Sequence, residues 1–312
     1  MLGRTAGGLF WMFRYLERAE NTARLIDAGH RIALTRASAA EDEWRSIAAT
    51  AGVLDAFIAM HGEMSGSAVT DYLLAEPSNP SSVYASIKAA RDNARLVRTA
   101  LTREVWEAMN EAYLLLKDAL AEPTLRSDLP ETLSLVRHLA AQVRGAFYGT
   151  MLRNDIYSFC QAGAMIERAD NTARILDVKY YVLLPSPALV GSRADNVQWD
   201  MILRAVSAQR SYRWLNGDVS SFGIAEFLIF DCRMPRSLAF CYDDLVTNLR
   251  RLENEYAIPA PSTALAVEAD RLFNTETMEA VFSEGLHEFL VRFIAENGAL
   301  ASAIENDYRF YE

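Results

Sequence analysis

The chain has 312 residues, 51% of them hydrophobic, with 15 glycines and 9 prolines, so it can bury a substantial core in one large or two average domains. Its net charge of −10 excludes the basic footprint of a general nucleic-acid binder. No run approaches the ~18 uninterrupted apolar residues of a membrane span, and the apolar run Leu9–Phe13 is cut by Arg14 too soon for a secretory segment.

Residues 1–8 hold three glycines and read as a loose lead-in. A first long helix is expected from Leu9 to about Thr35, with a bend at Arg36–Asp42. A second helix starts near Glu43 on Trp44, Ile47, Val53, Phe57 and Ile58, and fails in the turn-rich patch His61–Gly66. After Pro77–Ser82, Ser81 or Ser82 can cap a helix carrying Val83, Ile87, Ala90 and Ala94. Thr102 begins another, with Glu104 and Glu107 in its early turns, where negative charge suits the helix dipole. Pro123 and Pro130 bracket a connector, and Asp128 or Pro130 opens a helix running towards Asp155. The next helix occupies about 156–184 and ends at Leu184–Pro187; Tyr180–Leu184, the best strand signal, reads more simply as that helix's end.

One stretch occurs twice. Leu16–Asp27 (LERAENTARLID) returns as Ile166–Asp177 (IERADNTARILD), 150 positions later, with eight of twelve residues identical. Trp44 maps to Trp199, Phe57 to Tyr212, Pro80-Ser81-Ser82 to Pro235-Arg236-Ser237, and Asn93/Arg95 to Asn248/Arg250, all 155 apart. These offsets predict an all-α chain: one domain, 1–312, built as a tandem duplication of an about 150-residue helical unit (halves 1–155 and 156–312) in one pseudo-two-fold helical bundle.

On a helix, Glu17, Asn21 and Arg24 share one stripe with Glu20 beside them, and Glu167, Asn171 and Arg174 repeat it. If the two stripes meet near an axis, Glu17 is expected to pair with Arg174 and Glu167 with Arg24, because a lone buried charge is costly. Arg18 and Arg168 lie about 100° off the stripe and could reach a groove or a partner.

At these residues the chain resembles the bacterial alpha-E domain family. The resemblance rests on Arg14–Arg24, on Ser86–Glu107, on the second Glu-Arg motif at Ile166–Asp177, and on Ala225–Ser237, in that order. The segment before the second motif departs from the family pattern: Ala164 stands where the first copy has Arg14, so a role needing that arginine falls to the first half alone. The resemblance implies an all-helical domain that works beside a circularly permuted ATP-grasp protein, often with a transglutaminase-like peptidase, in a peptide synthesis or modification system.

Three functions stay open at this point. The chain is an accessory or peptide-binding partner of an ATP-grasp ligase; or it acts itself on a peptide or amide bond; or it is a scaffold with no ligand. In the binding reading Arg24 and Arg174 grip carboxylates through bidentate forks. In the enzymatic one Glu17 or Glu167 is the acid-base. Arg14, Arg18 and Arg168 complete the candidate polar set. Asn93/Arg95 and Asn248/Arg250 cannot share one helical face, so one of each pair points inward. Ser237 is expected to cap a helix, with anion binding at that N-terminus a weaker option. A single Glu284-x-x-His287 falls short of a di-metal bundle, no phosphate loop occurs, and neither metal nor cofactor is expected. The cysteines Cys160, Cys232 and Cys241 match no metal spacing and sit among apolar or aromatic neighbours, so buried free thiols in a reducing cytoplasm are expected.

Overall fold

Six helix starts are set by hydroxyl or carboxylate caps. Ser65, Ser82, Ser220, Ser237 and Thr277 each accept a hydrogen bond from the backbone N–H three residues on, and Asp128 does so ahead of Pro130. The computed structural model describes residues 1, 3–35, 40–121, 128–182, 193–217 and 219–311. Among them it is all-helical, without strands. The helices are α1 (Gly3–Thr35), α2 (Ala40–Thr50), α3 (Leu54–His61), α4 (Gly66–Leu74), α5 (Val83–Leu96), α6 (Arg103–Ala121), α7 (Leu129–Thr150) and α8 (Asp155–Val182). After them come α9 (Arg193–Ala205), α10 (Gln209–Leu215), α11 (Ser221–Phe230), α12 (Leu238–Tyr256), α13 (Pro261–Thr275), α14 (Met278–Glu284) and α15 (Leu286–Asp307).

The two long helices that carry the repeated segment, α1 and α8, pack against each other at the centre. Neither has a wet face along most of its length. Leu9, Phe10, Phe13, Leu16, Ala19, Ala23 and Ile26 are buried on α1, and Phe159, Cys160, Ile166, Ala169, Ala173 and Leu176 on α8. A helix buried all round belongs in a core. Here the burial extends to Glu17, Glu20, Asn21 and Glu167, so each of those polar groups needs a partner. Helices α5 and α7 flank α1, and α12 and α15 flank α8. Helix α2 reaches across to α8, and α9 reaches across to α1.

Several expectations change. Within the expected lead-in at 1–8, Gly3–Gly8 are not loose, because α1 already starts at Gly3. Their glycines serve close approach: a Cβ at Gly3 would lie 1.8 Å from the Arg309 carbonyl oxygen, and one at Gly8 would lie 2.5 Å from Val97 Cγ1. The second helix is two helices, α2 and α3, broken at Gly52, whose φ of 70° lies in the left-handed region. Helix α7 stops at Thr150, short of Asp155. Ser82, not Ser81, caps α5. Cys160 and Cys241 are buried, but Cys232 is exposed, because it sits in the turn between α11 and α12. Part of the bend at Arg36–Asp42, Pro123 and the Leu184–Pro187 terminus lie outside the described residues. No helix among the described residues is long and apolar enough to cross a membrane.

Candidate functional site

Helices α1 and α8 approach closely at Gly163, where a Cβ would lie 2.1 Å from the Phe10 carbonyl oxygen. That intimacy brings the two Glu-Arg dipeptides together. Arg168 donates from Nε and Nη2 to the two carboxylate oxygens of Glu17, both at 3.0 Å. Arg18 donates from Nε (2.5 Å) and Nη2 (3.0 Å) to those of Glu167. The stripes therefore meet, but not as the pairing Glu17–Arg174 and Glu167–Arg24. Arg24 and Arg174 instead turn back four residues along their own helices, to Glu20 and Asp170. The adjacent arginines, about 100° away from the stripe, are the ones a close crossing aims at the opposite carboxylate.

Glu167 takes one further arginine and Glu17 takes two. Glu167 accepts from Arg14 Nε at 3.0 Å, and Arg14 also lies over the Trp11 ring at 4.4 Å. Glu17 accepts from Arg236 Nη1 at 2.9 Å; the same Nη1 donates to Asn21 Oδ1 at 2.8 Å, and Nη2 lies 3.3 Å from Glu20. Arg144 of α7 also bonds Glu20 and stands 3.6 Å from Glu17. Sequence reasoning missed Arg236 and Arg144 as partners. Arg236 was visible as part of Pro235-Arg236-Ser237, where the matching triplet has Ser81; nothing local marks Arg144.

The two stripes consequently differ in exposure. Around Glu17 the guanidiniums reach further partners: Arg168 Nη1 donates to the Pro235 carbonyl at 3.2 Å, and Arg24 Nη1 bonds the Ser207 hydroxyl. Around Glu167 the space is open. A cleft of about 260 Å³ is lined there by Arg18, Asn21, Ser81, Asp170, Asn171 and Arg174, among others. A larger hollow of about 490 Å³, beside Phe159, Tyr256 and Tyr308, contains none of these residues.

The electrostatics decide what the glutamates can do. Burial opposes ionisation of Glu17, but Arg168, Arg236 and Arg144 outweigh it and hold its carboxyl far below the usual range. Burial likewise opposes Glu167, and Arg18 and Arg14 overcome it. Glu20 is also held low: burial and Glu17 oppose ionisation, and Arg236, Arg144 and Arg24 prevail. Arg236 is pulled below the usual arginine range, by burial first; Glu17 opposes this and Arg168 adds to it. Seven guanidiniums meet four carboxylates across the two networks. Carboxylates bound this way stay ionised at neutral pH and have their lone pairs engaged, which suits them poorly to exchange protons with a substrate.

The other sequence candidates have separate roles. Asn93 and Asn248 turn inward to the carbonyls of Ala89 and Asp244 on their own helices, while Arg95 and Arg250 are exposed. His287 Nδ1 lies 2.5 Å from Asp177 Oδ1, whereas Glu284 pairs with Arg292, so the two ends of Glu-x-x-His do not converge. Among the described residues no group of three or more His, Cys, Asp or Glu is placed to hold a metal ion.

The Alpha-E family model, described as a predicted alpha-helical domain with a conserved ER motif, matches residues 1–308. The chain is also similar to the uncharacterized protein Mb2597 of Mycobacterium bovis and the uncharacterized proteins MT2643 and Rv2567 of Mycobacterium tuberculosis. Each is 25% identical over 317 residues, covering 94% of this chain and 35% of the relative. The chain thus spans about a third of the length of these relatives. No solved structure matches it.

Proposed function

This chain belongs to the Alpha-E family, and we propose that it is a non-catalytic binding subunit of a bacterial, cytoplasmic peptide-modifying system, docking on a circularly permuted ATP-grasp ligase and presenting a peptide-like acceptor to it. A transglutaminase-like peptidase is the second partner in this reading. The observation that carries it is the state of the two candidate acid-base residues. Glu17 and Glu167 are buried and each is gripped by at least two arginines. Their work is to lock α1 to α8, which leaves the neighbouring cleft for a ligand.

In this reading the two halves are copies of one unit related by a pseudo-two-fold axis through the Glu-Arg crossing. The exchange of Arg18 and Arg168 between Glu167 and Glu17 supports it, as do the like placement of α5 and α7 on α1 with α12 and α15 on α8, and the reciprocal reach of α2 and α9. Such an axis builds each ion pair from one residue of each half, so neither clamp closes with one half alone.

Co-expression of the tagged chain with a circularly permuted ATP-grasp protein from the same genome tests the docking. A stable complex on size exclusion, and an ATP-dependent mass increase on an acceptor peptide only when both proteins are present, are expected. Separate elution of the two proteins, or full ligation by the ATP-grasp protein alone, overturns the reading.

A further inference from the structure

The two networks can be compared position by position. Before the capping serine of α12 stands Arg236; before that of α5 stands Ser81. Arg236 fills the space beside Glu17, Glu20 and Asn21, whereas Ser81 leaves the space beside Glu167, Asp170 and Asn171 as the cleft. Ser207, with a φ of 57°, closes the far end of the first network by accepting from Arg24 Nη1. In the second network Gly52, with a φ of 70°, brings no side chain near Arg174 Nη1, and a Cβ there would still lie 3.9 Å away.

The donors freed by these differences point one way. Arg18 uses Nε and Nη2 on Glu167, and Arg174 uses Nε and Nη2 on Asp170; among the described residues neither Nη1 makes a hydrogen bond. Asn21 is 3% exposed, its Oδ1 is held by Arg236, and its buried Nδ2 has no partner. A buried donor without a partner is destabilising, and this one belongs to a residue lining the cleft. Around Glu167 the charges are Arg14, Arg18 and Arg174 against Glu167 and Asp170, an excess of one positive charge. Both carboxylates are already engaged, so a cationic guest finds no free acceptor pair.

We propose that this cleft binds a single carboxylate, held by Nη1 of Arg18, Nη1 of Arg174 and Nδ2 of Asn21, in the space that Arg236 and Ser207 occupy around the other stripe. The excess of one charge matches a carboxylate; a phosphate dianion would bring a second negative charge against Glu167 and Asp170. The assignment rests on the binding-subunit reading above, but the two fail separately: complex formation with the ATP-grasp protein tests docking, and titration of the isolated chain tests the cleft.

The test is calorimetric titration of the full chain with acetyl-trialanine carrying a free C-terminal carboxylate, acetyl-Ala-Glu-Ala-amide carrying a side-chain carboxylate, neutral acetyl-trialanine-amide, and inorganic phosphate. One or both carboxylate peptides should bind, and which of them does so identifies the source of the group; the neutral amide should not. Arg174→Ala should weaken binding by about tenfold or more, the loss of one charge-assisted bond. Ser81→Arg, which fills the cleft as Arg236 fills its own site, should abolish binding while the thermal transition persists. Arg174→Ala serves alone if Ser81→Arg does not fold. Carboxylate peptides binding no better than the neutral amide, phosphate binding more tightly than either, or folded Arg174→Ala binding like the parent overturns the proposal.

Discussion

Arg168 on α8 holds both carboxylate oxygens of Glu17 on α1, each at 3.0 Å, across 151 residues of sequence. Both residues are buried. Removing one partner of such a pair strands a charge in a low-dielectric interior, which costs about 3–5 kcal/mol. Glu17→Gln and Arg168→Met should each lower the midpoint of chemical unfolding by an amount in that range. Arg174→Ala breaks a half-exposed i,i+4 pair and should cost about 0.5 kcal/mol. Equal losses for the three variants would show that the clamp is not what joins α1 to α8.

Stability should fall in acid. Glu17, Glu20 and Glu167 have folded-state carboxyl values below the ordinary 4.5, so in the window beneath that value the unfolded chain binds more protons than the folded one. Their stabilisation is complete above about pH 4.5 and drains as pH drops towards the folded values. Urea unfolding between pH 7 and pH 3 should show this decline, and Glu17→Gln should have a shallower pH dependence than the parent. A flat profile would contradict the ion-pair assignment.

The close approach at Gly163 makes a further prediction. An added Cβ meets backbone, the Phe10 carbonyl oxygen at 2.1 Å, so the helices must separate to accept it. Gly163→Ala should destabilise by about 1–3 kcal/mol or more, as overpacking does. Gly145→Ala, with nothing within 4 Å of the new Cβ, should be neutral or gain up to about 1 kcal/mol from helix propensity. Thermal denaturation of both variants measures the contrast; a Gly163→Ala protein as stable as Gly145→Ala would refute it.

The thiols should differ in reactivity. Burial pushes the Cys241 thiol up to about 12 and raises Cys160 well above its usual value, whereas Cys232 is exposed. Iodoacetamide at neutral pH should therefore modify Cys232 in the native protein and all three cysteines only after denaturation. Peptide mass mapping reads the result directly, and native labelling of Cys160 or Cys241 would show that the α8 and α12 core opens.

What the sequence determined was local. The period of the apolar residues, the capping serines and the twice-written Glu-Arg segment depend on neighbours within a turn or two, so the helices, the all-α class and the identity of the central pair were legible in it. The register of the clamp was not. Whether Glu17 meets Arg168 or Arg174 depends on how closely α1 crosses α8, and that is decided by Gly163 against Phe10. The contribution of Arg144 and Arg236 likewise needed the fold, because α7 and the start of α12 deliver them from 124 and 219 residues away. The opening beside Ser81 and Gly52 is a difference between two packed environments, and only tertiary structure places both around a like set of charges.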